Sequence, residues 1–434
     1  MTPAPESRPS GGTHGEWLTP GRLLLVVSGA AIAIATLTPL PQQARLSNLT
    51  PLLCLLCGEQ GSADFTLNML LFVPLGLALG LMGLRPALVV GWAAVTTLGI
   101  ETAQLFIVAG RDAALGDVIA NTTGGTLGYA LNVYGRALTD PQPPLRFWLG
   151  AVSFVLPVAA VVATLDLLTP DLPDPPWYTQ WSPRPVEGPK WFGGTVESVS
   201  LNDIALPWWE VPEPDRWRNL DEDRERISLS ARVRTPGSPR AIGKGWRGRI
   251  ASIGDRNRVP FLTLATAGTD LRFGLRTRSA NLLLRTPTYG IANVLSEPDT
   301  RSLLEGSWEE GVVTVGATND ATAHTASVRN SAVLGWTFLL PGVLDKSLRV
   351  IVLSVTWIGC LFIPLGYYVG VANRGAIASS VVAVVASLGL TPYLMGGPQT
   401  PGWAWLAAIG GILTSGVLLR RLANRGGTRE VQPP

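Results

Sequence analysis

The chain has 434 residues, of which 47% are hydrophobic and only 15% are charged, and its formal net charge is +3. Soluble domains usually carry about 25% charged residues, so this composition excludes an ordinary soluble protein. No stripe of lysine and arginine points to a nucleic-acid partner. Charged residues crowd into residues 180–330 and are sparse elsewhere. This distribution predicts a membrane protein with one polar insert.

Apolar segments long enough to span a membrane, which needs about 20 residues, occur on both sides of the polar insert. The predicted spans are residues 22–40, 65–84, 86–108, 117–134, 147–168, 348–371, 376–394 and 403–419. The fourth has the weakest hydropathy, because it contains Asn121, Thr122, Thr123 and several glycines. The first is not a cleaved signal peptide, since no small-residue cleavage site follows it.

Basic residues in the short loops predict on which side of the membrane each loop lies. Ten arginines lie on the side of the N-terminus, against four basic residues on the other side. This bias predicts tails in the cytoplasm over 1–21 and 421–434, and the polar insert outside. The expected location is the cytoplasmic (inner) membrane, and the lipid bilayer is the first expected partner.

The polar insert begins with a linker and continues as a β domain. Prolines crowd residues 169–189 and predict an extended, semi-rigid spacer, so we expect few contacts between the insert and the fifth span. From Trp191 onward, short segments with alternating apolar residues are separated by turns. They predict an independent β-sandwich over 190–331. The fragment IASIGDRNRVPFLTLATAGTDLRFGLRTR resembles laminin-G-like and concanavalin A-like sandwiches.

The predicted fold class is therefore an α-helical polytopic membrane bundle of about eight spans plus an extracytoplasmic β-sandwich. The bundle is expected to comprise a first membrane domain over 22–135, a fifth span with its preceding loop over 136–168, and C-terminal membrane segments over 332–420.

Polar residues gather at one end of the second, third and fourth spans. Inside a membrane such groups cost free energy unless they are paired or hydrated, so they mark a candidate site. With the predicted orientation, all of them lie near the outer face, and we expect them to converge. They are Asp64, Asn68, Glu101, Gln104, Arg111, Asp117 and Asn121. The alternative is structural: ion pairs at helix ends, or an N-cap of the fourth span by Asp117.

Two segments, DFTLNMLLFVPLGLALG (64–80) and GIETAQLFIVAGRDAALGDVIANTTGGTLGY (99–129), resemble the VanZ-like family. The family pattern has an Asp and an Asn before LFxPLG, then ExxQ, then GR and D-x-x-x-N followed by glycines. The matching positions are Asp64, Asn68, Phe72, Pro74, Gly76, Glu101, Gln104, Arg111, Asp117, Asn121, Gly124 and Gly128. The resemblance implies a link to resistance against the glycopeptide teicoplanin and supplies no molecular activity. Glycines in these spans are themselves typical of close helix packing.

Cys54 and Cys57 form a C-x-x-C motif in the first outer loop. Such a pair can bind a metal or carry out redox chemistry, but zinc needs four ligands and the sequence has no second cysteine pair. An oxidising compartment favours a disulfide. The sequence shows no Gly-rich phosphate loop, H-E-x-x-H or G-x-S-x-G motif, so we expect neither a metal nor a cofactor.

Three functions remain open at this point. The first is a VanZ-like protein that binds or acts on an envelope component at the outer membrane surface, such as a cell-wall glycan or a lipid-linked precursor, and so affects teicoplanin susceptibility. The second is a membrane hydrolase or transferase, with Glu101 or Asp117 as general base and Arg111 as anion clamp. The third is a structural scaffold whose sandwich binds a glycan or a protein.

The orientation can be tested with reporters inserted at Gly243. An alkaline phosphatase insertion should be active, because this enzyme folds only outside the cytoplasm, whereas the same fusion at the C-terminus should be inactive. Activity at Gly243 of a reporter that works only in the cytoplasm would show that the predicted orientation is wrong.

Overall fold

The computed structural model describes residues 19–39, 53–108, 111, 113–184, 191–211, 226–237, 247–369 and 374–426. The chain divides into two compact units, Met1–Gln142 and Pro143–Pro434. The predicted tails up to residue 18 and beyond residue 426 lie outside the described residues. Six helices in the described part are long and apolar enough to cross a membrane.

The described residues of the first unit form four helices. They are α1 (Pro20–Leu37), α2 (Gly61–Leu81), α3 (Pro86–Phe106) and α4 (Leu115–Thr139). Prolines begin α1 and α3, where a missing backbone N–H costs nothing. Helices α1, α2 and α3 are candidate spans, whereas α4 is helical over the predicted fourth span but is not among the candidates.

Glycines bring the backbones of α2 and α4 into direct contact. A Cβ atom on Gly76 of α2 would lie 1.8 Å from the carbonyl oxygen of Gly125 in α4. In the other direction, Cβ atoms on Gly124 and Gly128 would each lie 2.0 Å from a backbone oxygen of α2. No side chain fits at these three positions, so the predicted role of the glycines in helix packing is confirmed.

The helices of the second unit flank the polar insert. They are α5 (Pro143–Leu167), α6 (Leu348–Tyr368), α7 (Arg374–Val385), α8 (Thr391–Leu394) and α9 (Gly402–Gly426), with a π-helical turn between α7 and α8. The predicted fifth, sixth and seventh spans are candidate spans, and the eighth contains a shorter apolar helix, Gly402–Ser415. A Cβ atom on Gly411 would lie 2.2 Å from the carbonyl oxygen of Gly359, so α9 and α6 also pack backbone to backbone.

The described residues of the insert form two six-stranded sheets, as the alternating pattern predicts. One sheet has the order β1 (Tyr178–Gln180), β5 (Arg247–Gly254), β6 (Pro260–Ala267), β7 (Asp270–Leu275), β8 (Thr288–Ile291) and β12 (Val343–Leu344). The other has the order β11 (Ala323–Arg329), β10 (Val312–Thr318), β9 (Arg301–Glu309), β4 (Ile227–Arg234), β2 (Thr195–Leu201) and β3 (Ile204–Ala205). Only β12 and β8 pair in parallel among the described strands.

The β domain extends beyond residues 190–331 at both ends. Strand β1 begins at Tyr178, inside the segment expected to be a linker, and β12 ends at Leu344. Trp177 is 1% exposed, and its ring centroid lies 4.9 Å from that of Phe261. Burial of a large aromatic side chain contributes strongly to a core, so the proline-rich segment is partly an element of the sandwich.

The expectation of few contacts between the sandwich and the fifth span is wrong. The Arg278 guanidinium donates a hydrogen bond of 2.6 Å to Asp166 in the last turn of α5. A buried 3-10 helix, Ala332–Phe338, packs against α6, and Trp336 Nε1 donates to the Ser354 hydroxyl at 2.9 Å. One continuous hydrophobic core includes residues of α5, the sandwich and α6. The proline-rich segment therefore connects α5 to the sandwich without separating them.

Substitution of Gly76 by alanine tests the contact between α2 and α4. We expect Gly76→Ala to lower the free energy of unfolding by about 1–3 kcal/mol, since the added methyl group would overlap a backbone carbonyl. Gly99→Ala is the matched control, because a Cβ atom on Gly99 in α3 meets nothing within 4 Å. It should stabilise α3 by roughly 0.5–1 kcal/mol.

Thermal unfolding of the full chain in detergent, followed by circular dichroism, measures both effects. Equal melting temperatures for the two variants would contradict the backbone contact.

Candidate functional site

Two hydrogen bonds connect the end of α3 and the residues after it to backbone oxygens at the end of α1. Gln104 Nε2, in the last turn of α3, donates to the carbonyl oxygen of Thr36 at 3.0 Å. Arg111 follows α3, and its Nη2 donates to the carbonyl oxygen of Ala35 at 2.6 Å. Backbone carbonyl oxygens in the last turn of α1 therefore accept hydrogen bonds from one side-chain amide and one guanidinium.

The starts of α2 and α4 are joined by a polar side-chain pair. Asn68 Nδ2 donates to Asp117 Oδ1 at 2.6 Å. Asp117 also interacts electrostatically with Asp64 and Arg111, and Glu101 interacts in the same way with Asp117. The four helix ends thus bring these carboxylates and the guanidinium into one electrostatic neighbourhood.

Glu101 and Asn121 are buried and connect α3 to the segment that follows it. Glu101 is 8% exposed, and its Oε2 accepts a hydrogen bond of 2.9 Å from the backbone N–H of Ala114. Asn121 is 2% exposed, and its Nδ2 donates to the Thr97 hydroxyl at 2.8 Å. Glu101 therefore fixes the residue directly before α4, while Asn121 fixes α4 itself against α3.

Several buried polar atoms in this region have no hydrogen-bond partner. They include Gln104 Oε1, Asn121 Oδ1 and Arg111 Nε. A buried unpaired donor or acceptor costs about 1–3 kcal/mol. Gln104 and Asn121 are each more than nine-tenths buried. Solvent therefore does not offset the free-energy cost of their unpaired atoms. The domain holds two acceptors and one donor that a bound polar group could satisfy.

A disulfide loop lies against the start of α4. Cys54 and Cys57 are joined, with their Cα atoms 5.7 Å apart. The Gly116 N–H donates to the carbonyl oxygen of Cys54 at 3.1 Å, and a Cβ atom on Gly116 would lie 2.1 Å from the carbonyl oxygen of Leu55. The loop thus covers the residue next to Asp117. The described residues contain no group of three or more potential metal ligands.

The structure adds contacts that sequence reasoning missed. Thr97 lies one helical turn before Glu101 on the same face of α3. This spacing could have predicted that Thr97 also contacts a polar residue of the cluster. The acceptors of Ala35 and Thr36 and the donor of Ala114 are backbone groups. Every residue carries such groups, and no sequence pattern marks which ones a site uses.

Replacement of Glu101 tests its contact with Ala114. We expect Glu101→Ala to lower the free energy of unfolding by about 1–3 kcal/mol, because it removes the acceptor of the N–H of the half-buried Ala114. Glu101→Gln keeps an acceptor oxygen and should unfold close to the parent temperature. Thermal unfolding in detergent distinguishes the two, and equal losses in both variants would show that this hydrogen bond contributes nothing.

Comparison with known proteins identifies part of the chain. No curated protein and no solved structure matches it significantly. The VanZ/LLP1 family model matches residues 25–135, well under half of the chain. The matched segment contains α2, α3, most of α1 and α4, and every residue of the polar cluster. The N-terminal membrane domain of this protein, residues 25–135, is therefore VanZ-like.

Proposed function

We propose that the VanZ-like domain binds the polar part of an envelope component at the outer membrane-water boundary. The observation that carries the proposal is the set of buried, unpartnered polar atoms of Gln104, Asn121 and Arg111 where helix ends meet. Intramembrane polar residues are expensive and usually serve a site. A bound polar group would recover the free energy that these atoms cost the empty domain.

The charged groups of the cluster indicate the kind of ligand. Two carboxylates, Glu101 and Asp117, offer acceptors to ammonium, amide or hydroxyl groups, and Arg111 offers a donor to an anionic oxygen. Hydrogen bonds to ionised groups are about twice as strong as neutral ones. Lipid headgroups and lipid-linked cell-wall precursors present both kinds of group. The link of the family to teicoplanin resistance supports an envelope ligand.

Catalysis by this cluster is the weaker alternative. Glu101 accepts a hydrogen bond from Ala114, Asp117 accepts one from Asn68, and the contact of Arg111 goes to a backbone carbonyl. These contacts hold the domain together, and no activated nucleophile stands among them. We therefore favour binding. Turnover of a lipid-linked substrate by the purified chain would establish a hydrolase or transferase instead.

The setting of the domain is part of the same proposal. The charge bias of the loops supports a topology with both termini in the cytoplasm and the sandwich outside the cytoplasmic membrane. A concanavalin A-like sandwich that binds a cell-wall glycan would fit this setting, although a fold by itself does not define a ligand.

Lipids that copurify with the full chain test the binding proposal. We expect the parent protein to retain a defined envelope lipid in mass spectrometry, and Glu101→Gln to retain at least about tenfold less, because a charged hydrogen bond contributes about 1.5–3 kcal/mol. In a teicoplanin-sensitive host, the parent should lower susceptibility and Glu101→Gln should not.

Asp140→Asn is the matched control for the charge change. Asp140 is exposed and directly follows α4, at the end opposite the cluster. This variant should behave as the parent. Equal lipid retention and equal susceptibility for Glu101→Gln, Asp140→Asn and the parent would refute the proposed binding site.

A further inference from the structure

Two tryptophans on the sandwich are exposed next to an arginine. Trp208 is 64% exposed and Trp209 is 47% exposed, and their ring centroids are 5.9 Å apart. The guanidinium of Arg258 lies over the Trp209 ring, 4.4 Å from its centroid. The neighbouring Val259 is 40% exposed. Exposed aromatic and aliphatic surface of this kind marks an interaction surface.

The connection from β5 to β6 lies at the end of the sandwich that faces α5. Arg278, just after β7, pairs with Asp166 in the last turn of α5. The backbone N–H of Arg276 donates to the carbonyl oxygen of Phe261 at 2.7 Å, so the start of β6 lies beside the end of β7. Val259 comes two residues before Phe261, in the direction of α5. The connection therefore reaches about the level at which the fifth span ends.

The tryptophans are held beside this connection by the edge strand of the sheet. Strand β1 pairs with the end of β5, Tyr178 opposite Gly254. The segment around Trp209 runs along the other side of β1, where Thr179 N–H donates to the Trp209 carbonyl oxygen at 3.1 Å. We name the surface formed by Trp208, Trp209, Arg258 and Val259 the aromatic rim.

We infer that the aromatic rim rests on the lipid surface of the membrane that α5 and α6 cross. Two observations support a lipid partner: the position of the rim at the end of the span, and its composition. Tryptophan is enriched at membrane interfaces. Arginine beside it can reach a lipid phosphate while its stem covers apolar surface.

A saccharide is the other partner that exposed tryptophans suggest, and the geometry favours it less. Arg258 already covers one face of the Trp209 ring, and that face is closed to sugar stacking. A guanidinium stacked in this way still has donors free at its edge. Those donors suit a phosphate oxygen of a lipid.

Quenching by brominated lipid tests the aromatic rim in the full chain. Protein in vesicles is compared with and without phosphatidylcholine that carries bromine in its acyl chain near the headgroup. The difference in emission between the parent and the double variant Trp208→Phe/Trp209→Phe is the contribution of these two residues. We expect the brominated lipid to quench this component and the component to lie at shorter wavelength than that of a water-exposed indole.

Trp191→Phe is the matched control. Trp191 pairs with Arg249 of β5 and also forms a cation–π contact, 5.8 Å from ring centroid to guanidinium. Arg249 lies five residues before Gly254, roughly 17 Å farther from α5 at about 3.3 Å per residue, so the component from Trp191 should stay unquenched. Equal quenching of both components, or of neither, overturns the inference. So does a rim component that chitin oligosaccharides shift and brominated lipid leaves unchanged.

Discussion

Helices α2 and α4 approach until their backbones touch, and the polar cluster depends on that approach. Gly76 and Gly125 meet in the middle of the two helices, where neither chain has room for a side chain. Two helical turns earlier on each helix, Asn68 and Asp117 face one another and form a hydrogen bond. The two contacts belong to one register of parallel helices. Any side chain at the glycine contact would move the carboxylate away from its amide partner, although it would lie far from the cluster.

The helix ends contribute different chemistry to this cluster. Helix α1 supplies only backbone oxygens, which hold Gln104 and Arg111 through one hydrogen bond each. A single contact leaves other atoms of both side chains unpaired. The described contacts of Glu101, Asp117 and Arg111 go to a side-chain amide or to the backbone. These contacts fix the positions of the three side chains.

Much of the architecture could be predicted because it depends on periodicity and on the cost of burying polar groups. Alternating apolar residues predicted the two sheets, and polar residues within apolar spans predicted the cluster. The contribution of α1 could not be predicted, since the acceptors on Ala35 and Thr36 are backbone atoms. The proline-rich segment misled for another reason. Its many prolines favour an extended segment when the chain is considered alone. In the folded protein the ring of Trp177 is buried in the sandwich core, and this burial outweighs the stiffness of the prolines.

The shared core of α5, the sandwich and α6 removes a freedom that a tethered domain would have. The sandwich cannot move independently of α5 and α6, because it shares a hydrophobic core with these two candidate membrane spans. Its longest strands have eight or nine residues, which corresponds to about 30 Å at roughly 3.3 Å per residue. The sandwich therefore stays within about that distance of the helices on which it packs. Partners anchored in the same membrane lie within this reach.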